Sequence, residues 1–172
     1  MIKKKFLSKE LTLYFKKNYP KYLSNKSHRR YNVCLGIGGN IGDVPQRFEH
    51  LLKWLKYDTR FCLLQTSPIL KNPPFGYLEQ NDFYNALLEV ATDLNPFYLL
   101  KSIQRIEKKF GRVRSFKDAP RTLDIDIVFI QQKRKDIKIE HKDLTIPHKG
   151  WKLRESVQIP LSYMKNIRYA KG

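Results

Sequence analysis

APRTLDIDIVFI, residues 119–130, sets two aspartates two positions apart inside an apolar, largely β-branched run. Such a run reads as a strand, and side chains alternate between the two faces of a strand. Leu123, Ile125 and Ile127 therefore share one face, to be covered by helices, while Asp124, Asp126 and Val128 share the other. The carboxylates start about 6.6 Å apart and repel each other by about 2 to 3 kcal/mol at an effective dielectric of about 20. Aspartate is also disfavoured in strands. Two readings account for the cost: a bound cation, or a solvent-facing strand whose aspartates pair with lysines. Magnesium suits the first, because it prefers carboxylate oxygens and completes its shell with water and phosphate. No histidine or cysteine cluster points to zinc.

The segment leading into this strand, KKFGRVRSFKDAPR, supplies Arg112, Arg114, Lys117 and Arg121 around Gly111 and Pro120. Carboxylates that hold a metal, next to several cations on a loop, form a layout for handling phosphate: arginines clamp the oxygens and neutralise developing charge.

The rest of the chain supplies partners for the strand. YNVCLGI (31–37) is a strand followed by the turn GGNIGD. Asp43 caps a helix with Pro45 in its first turn, and Phe48, Leu51, Leu52 and Leu55 recur at helical spacing. RFCLLQTSPIL reads as a second strand, KNPPFGYLEQND as a loop and FYNALLEVA as a third strand. Asn95 and Pro96 open a second helix with Phe97, Leu100, Ile103, Ile106 and Phe110 as its apolar face, and Gly111 closes it. The order strand-helix-strand-strand-helix-strand predicts an α+β fold: a ferredoxin-like βαββαβ antiparallel sheet with both helices on one face. Beyond residue 136, DIKIE and LTIPHKGWKLRE predict a C-terminal addition of strand and helix.

The 172 residues, 41% hydrophobic, are enough for one domain with a real core. No apolar stretch approaches the roughly 20 residues that cross a bilayer, and the N-terminus lacks the apolar core of a signal peptide, so a cytoplasmic protein with no membrane partner is expected. Cys34 and Cys62 read as reduced, buried thiols. The net charge of +18 has two sources, since residues 1–30 hold ten basic residues and one acid, Glu10, for +9. These residues read as a basic N-terminal extension, with a short amphipathic helix through Leu7, Leu11, Leu13, Tyr14 and Phe15 that stops near Pro20. Residues 31–172 form the domain, and removing residues 1–28 is expected to spare activity.

Several stretches, in order, resemble the 6-hydroxymethyl-7,8-dihydropterin pyrophosphokinase family: LGIGGNIGD, NPPFGYLEQNDFYNALLEVAT, QRIEKKFGRVR, KDAPRTLDIDIV, and LTIPH with Arg154. They cover about residues 33–161. The resemblance implies an enzyme that transfers pyrophosphate from ATP to the hydroxymethyl group of a reduced pterin, using two magnesium ions; a monomer is expected. It implies Asp124 and Asp126 as metal ligands, and Arg112 and Arg121 as catalytic cations. Gln104, Glu107, Arg114, Lys117, Arg121, Ile127, Thr145, His148 and Arg154 would line the ATP site. Asn72, Pro73, Phe75, Phe83 and Asn85 would bind the pterin, Phe83 by stacking and Asn85 by hydrogen bonds to the ring edge. The family usually has an aromatic residue where Ser156 stands, and Trp151 and Phe116 are the rings available to replace it. The loop between Arg114 and Arg121 is one residue short, and Asp118 stands where tryptophan is frequent.

The same element order serves RNA-binding sheets, and +18 suits nucleic acid. The candidate strands lack the stacked-aromatic pattern, however, and an acidic pair repels phosphate, so a nucleic-acid partner is not expected. A catalytically dead scaffold is disfavoured by the retained Arg112, Arg121, Asp124 and Asp126.

Overall fold

The structure is a computed structural model that describes residues 1–24 and 27–167. Its strands are β1 (Lys3–Phe6), β2 (Thr12–Phe15), β3 (Lys21–Tyr22), β4 (Tyr31–Gly39), β5 (Phe61–Thr66), β6 (Ile69–Asn72), β7 (Phe83–Thr92), β8 (Asp124–Gln132), β9 (Lys135–Asp136), β10 (Ile139–Glu140) and β11 (Thr145–Ile146). The helices are α1 (Val44–Tyr57), α2 (Pro96–Lys109) and α3 (Glu155–Leu161), with a single 3-10 turn at Trp151–Leu153. The fold is mixed α+β. Its main sheet runs β1–β2–β6–β7–β4–β8–β9, with β5 beside β7 and β3 beside β5. Every described pairing in it is antiparallel.

The caps expected from the sequence form. The Asp43 carboxylate accepts the Gln46 N–H at 3.0 Å, and the Asn95 side chain accepts the Tyr98 N–H at 3.1 Å. Gly111 ends α2 at φ +80, a conformation that costs glycine little. The apolar face of α2 is rotated from the expected one. Leu99, Ser102, Ile103, Ile106 and Glu107 are buried, whereas Phe97 is exposed and meets the His141 ring edge-on. The long strand expected over 60–70 is two strands, because Ser67 and Pro68 interrupt it. Ser67 still serves β7, its hydroxyl accepting the Leu87 N–H at 2.8 Å.

One core packs α1 and α2 together against Val33, Leu35 and Ile37 of β4 and Ile125 and Ile127 of β8. On the other face Cys34, Leu87, Val128 and Phe129 pack with Trp151 and with Val157 of α3. Cys34 and Cys62 are unpaired, the first buried and the second half-buried.

The N-terminal residues depart from expectation. No helix forms over residues 7–15. β1 and β2 make a hairpin instead, and β2 joins the sheet edge in the register Thr12↔Lys71, Leu13↔Leu70, Tyr14↔Ile69. Leu11, Leu13 and Phe15 fit a two-residue period as well as a helical one, and an open strand edge, which needs a hydrogen-bonding partner or a cover, decides between them. Leu13 and Tyr19 are both 0% exposed, and the Tyr19 hydroxyl donates to the Phe48 carbonyl at 2.9 Å. Burial pushes the Tyr19 phenol well above its ordinary range. Leu13 and Tyr19 are thus buried with the body, and removing residues 1–28 is expected to strip both side chains from it. Tyr19→Ala is expected to destabilise the fold by about 3 to 5 kcal/mol, and Tyr19→Phe by about 1 kcal/mol, read from urea melts. A Tyr19→Ala midpoint equal to wild type would return these residues to the status of an appendage.

Candidate active site

The glycines of β4 make the floor of the site. Gly38 lies between Asn85 of β7 and Asp124 of β8, and Gly36 lies between Leu87 and Asp126. A Cβ on Gly38 would stand 2.6 Å from the Asn85 Oδ1, so the bare backbone leaves room for that amide. Above this floor opens a cavity of about 530 Å³, lined by Asp124, Asp126, Arg121, Phe83, Asn85, Asn72, Pro73, Phe75, His148 and Arg154, among others. The alternation expected for β8 holds: Ile125 and Ile127 face the helices, and both aspartates face the cavity. Phe83 and Asn85, two apart on β7, likewise share the cavity face.

A bulge in β8 brings in the histidine. Cys34 pairs with Phe129 but Leu35 pairs with Ile127, which leaves Val128 as the extra residue. The Val128 carbonyl accepts the His148 N–H at 2.9 Å, and His148 Nε2 then lies 3.8 Å from Asp126 Oδ2.

Asp124 is held by two guanidinium groups. Arg112 Nη1 donates to Oδ1 at 2.5 Å, and Arg121 Nη1 to Oδ2 at 2.9 Å. Arg112 also donates to Glu107, whose Oε1 accepts the Ile125 N–H at 2.8 Å. Glu107 is only 3% exposed, and this burial raises its carboxyl to about 7 despite the arginine beside it. Asp126 is raised by burial first and by the Asp124 charge second, with His148, Arg154 and Arg112 opposing. The Arg121 guanidinium also lies over the Phe83 ring, 5.3 Å from its centroid.

The remaining sequence-predicted residues stand around this centre. Arg114 and Lys117 line a second cavity of about 310 Å³, which Arg112 and Arg121 also line. Gln104 is half-buried on α2, and Thr145 pairs with Glu140 at the start of β11. The Ile127 side chain points into the helix-side core, so only its backbone is turned to the strand edges. Of the two rings considered in place of Ser156, Trp151 is buried edge-on against Phe129 at 4.5 Å, and Phe116 packs edge-on against Tyr77 at 5.3 Å. Leu153, 89% exposed, and Ser156 line the cavity instead.

Two amides outside the expected site residues tie the loops together. Asn40 is 5% exposed; its Oδ1 accepts the Arg121 N–H at 2.9 Å, and its own N–H donates to the Arg121 carbonyl at 3.0 Å. Its Nδ2 donates to Gln80 Oε1 at 2.9 Å and to the Asn81 carbonyl at 3.0 Å. Gln80 Nε2 in turn donates to the Tyr77 carbonyl at 2.6 Å and the Asp118 carbonyl at 2.9 Å. A Cβ on Gly39 would meet the Thr122 carbonyl at 2.5 Å, so any side chain here would require the backbone at residues 121–122 to shift. Asn40→Ala removes all three side-chain hydrogen bonds and is expected to lower kcat about 10- to 100-fold, with KM changed far less. Steady-state kinetics check this; an equal loss in kcat and affinity would make Asn40 a merely structural residue.

No helix among the described residues is long and apolar enough to cross a membrane. The sequence profile of the 7,8-dihydro-6-hydroxymethylpterin-pyrophosphokinase (HPPK) family matches residues 34–166. The chain is 42% identical over 143 residues to a 2-amino-4-hydroxy-6-hydroxymethyldihydropteridine pyrophosphokinase of Campylobacter jejuni, covering 83% of this chain and 88% of that one. It is 35% identical over 156 residues to the enzyme of the same name from Helicobacter pylori, covering 90% and 93%. Against that of Bacillus subtilis it is 34% identical over 128 residues, 74% of each chain. With the profile spanning the glycine floor, both aspartates and the arginine loop, the chain belongs to the 7,8-dihydro-6-hydroxymethylpterin-pyrophosphokinase family.

Proposed function

We propose that the protein transfers pyrophosphate from ATP to the hydroxymethyl group of 6-hydroxymethyl-7,8-dihydropterin, giving AMP and the pterin diphosphate, in folate biosynthesis. The observation that carries this reading is a single cavity in which two strand aspartates and Arg121 face Phe83 and Asn85 across the bare glycines of β4. Family membership and the names of the relatives support the same reaction. The order β6–β7–β4–β8, with α1 and α2 packed in one core, supports reading residues 31–130 as a ferredoxin-like βαββαβ unit.

Asp124 and Asp126 fit two magnesium ions in the chemistry of their donors. Both are hard carboxylates on one strand face, and each oxygen of Asp124 keeps a lone pair beyond its arginine contact. Among the described residues no group of three or more His, Cys, Asp or Glu side chains gathers, so the remaining ligands would be water and nucleotide phosphate. The ions would neutralise and orient the phosphates being transferred.

The chain's own residues do the rest. Arg112 and Arg121 are proposed to turn from Asp124 to the phosphate oxygens, where charge develops as the bond to AMP breaks. Glu107 keeps Arg112 within reach while it does so. Phe83 offers a flat face to the pterin ring, and Asn85 offers a donor and an acceptor to its edge. Gln104, Arg114, Lys117, Ile127, Thr145, His148 and Arg154 are proposed to enclose the nucleotide, with Asn72, Pro73 and Phe75 closing the pterin side. No side-chain base is required, because in-line transfer depends mainly on positioning and charge neutralisation.

A transfer assay with ATP and the reduced pterin alcohol tests the reaction, and the expected products are AMP and the pterin diphosphate. Calorimetry with a non-hydrolysable ATP analogue should show tight binding only when magnesium is present. Absence of transfer with both substrates bound would refute the proposal.

A further inference from the structure

The family match begins at residue 34, yet one residue of the cavity wall comes from before it. Glu10, in the turn of the β1–β2 hairpin, lines the same cavity as Pro74, Phe75 and Leu153. The turn is fixed. Leu7 N–H donates to the Leu11 carbonyl at 2.9 Å, and the Ser8 hydroxyl accepts from the Glu10 and Leu11 N–H groups at 3.2 and 3.1 Å. The hairpin behind it is anchored on two sides. β2 is paired with β6, the strand that ends in the Asn72 loop of the cavity, and Tyr14 meets Tyr84 edge-on at 5.7 Å. On the other side Phe15 packs edge-on against Tyr163, which follows α3, at 5.9 Å. The hairpin therefore bridges the two segments that carry the acceptor end of the cavity.

Glu10 is the single acid among the first thirty residues, and it has no ion-pair partner within 4.0 Å among the described residues. With Asp118 and Glu155, which line the same cavity, it puts three carboxylates on the wall beyond the strand pair, so removing its charge makes that wall less negative. The cations of the cavity, Arg121, His148 and Arg154, lie with Asp124 and Asp126 or follow them in the fold, so they compensate that pair first.

We infer that the N-terminal hairpin is a wall of the acceptor pocket, and that Glu10 is a specificity-determining residue that favours an uncharged acceptor over one already carrying phosphate. The inference rests on the proposed transfer reaction. The acceptor alcohol is neutral at the position where its product carries a diphosphate, so a fixed negative charge on the wall penalises the product and not the substrate. The consequence is weaker product inhibition than a neutral wall would allow.

Equilibrium binding to the full-length protein tests this, with the pterin alcohol and the pterin diphosphate as probes and wild type compared with Glu10→Gln. The glutamine keeps size and polarity, Glu10 is exposed, and thermal melts report folding. The expected result is that Glu10→Gln tightens the diphosphate roughly fivefold relative to the alcohol, and that 0.5 M salt, about the level at which exposed charges are largely screened, abolishes the difference. An unchanged ratio of the two affinities, or a shift insensitive to salt, would overturn the inference. A second variant, Ser8→Ala, loosens the turn without altering charge and should move the ratio in the same direction by a smaller factor. If wild type binds neither probe, the proposed reaction fails and the inference with it. If wild type binds both and Glu10→Gln leaves their ratio unmoved, the inference alone fails.

Discussion

Asp126→Ala is expected to lower kcat by at least about a thousandfold while leaving the fold intact and the unliganded protein slightly more stable. Asp126 is the better of the two aspartates to remove. Asp124 anchors Arg112 and Arg121, so its loss would release two guanidinium groups and confound the result. Among the described residues the one ion-pair contact of Asp126 is His148, at 3.8 Å, with Arg154 and Arg112 acting from further off, and burial together with the Asp124 charge disfavours its ionised form. Alanine removes that repulsion and a residue unsuited to a strand. The arginines already compensate much of the charge on Asp124, so the gain is on the order of 1 kcal/mol, or about 2 to 4 °C in Tm for a chain of this size. Binding of the nucleotide analogue should lose its magnesium dependence in the same variant. Wild-type turnover in Asp126→Ala would remove the metal assignment, and a collapsed melt would show that the aspartate serves folding instead.

Much of the scaffold was legible because its signals are local. Alternation along residues 122–130 placed both aspartates on one face, and the caps at Asp43 and Asn95 fixed the starts of α1 and α2. What could not be read depended on partners far along the chain. The helix expected near Leu11 became a strand because the edge of β6, more than fifty residues away, offered pairing that no local pattern announces. The phase of α2 was misplaced because Phe97 finds His141, whereas Glu107 is drawn inward to the Ile125 amide and Arg112. Asn40 and Gln80 read as ordinary turn and loop residues; their hydrogen bonds reach across forty to eighty positions. Trp151 looked available as a stacking ring, but the fold spends it on Phe129 and turns Leu153 to the cavity.

Arg121→Ala should lower kcat about 10³-fold, the lower range for an arginine that meets transition-state charge, while the affinity for the pterin falls little or even rises. Three contacts carry the argument. The backbone of Arg121 is locked by Asn40 on both its N–H and its carbonyl, so only the side chain is free to reorient. That side chain now serves as a counter-ion for Asp124 and covers one face of Phe83. A pterin ring stacking on Phe83 must displace it, and alanine removes that competition from the ground state. The phosphates, by contrast, lose a planar, always-charged fork at the moment their charge is largest. Arg121→Lys should recover little, because a point charge on a flexible stem reproduces neither the fork nor the stacking on Phe83. Steady-state kinetics paired with direct pterin titration separate the two effects. A loss in pterin affinity with kcat unchanged would mean that Arg121 binds substrate and transition state alike, and its proposed role in catalysis would have to be abandoned.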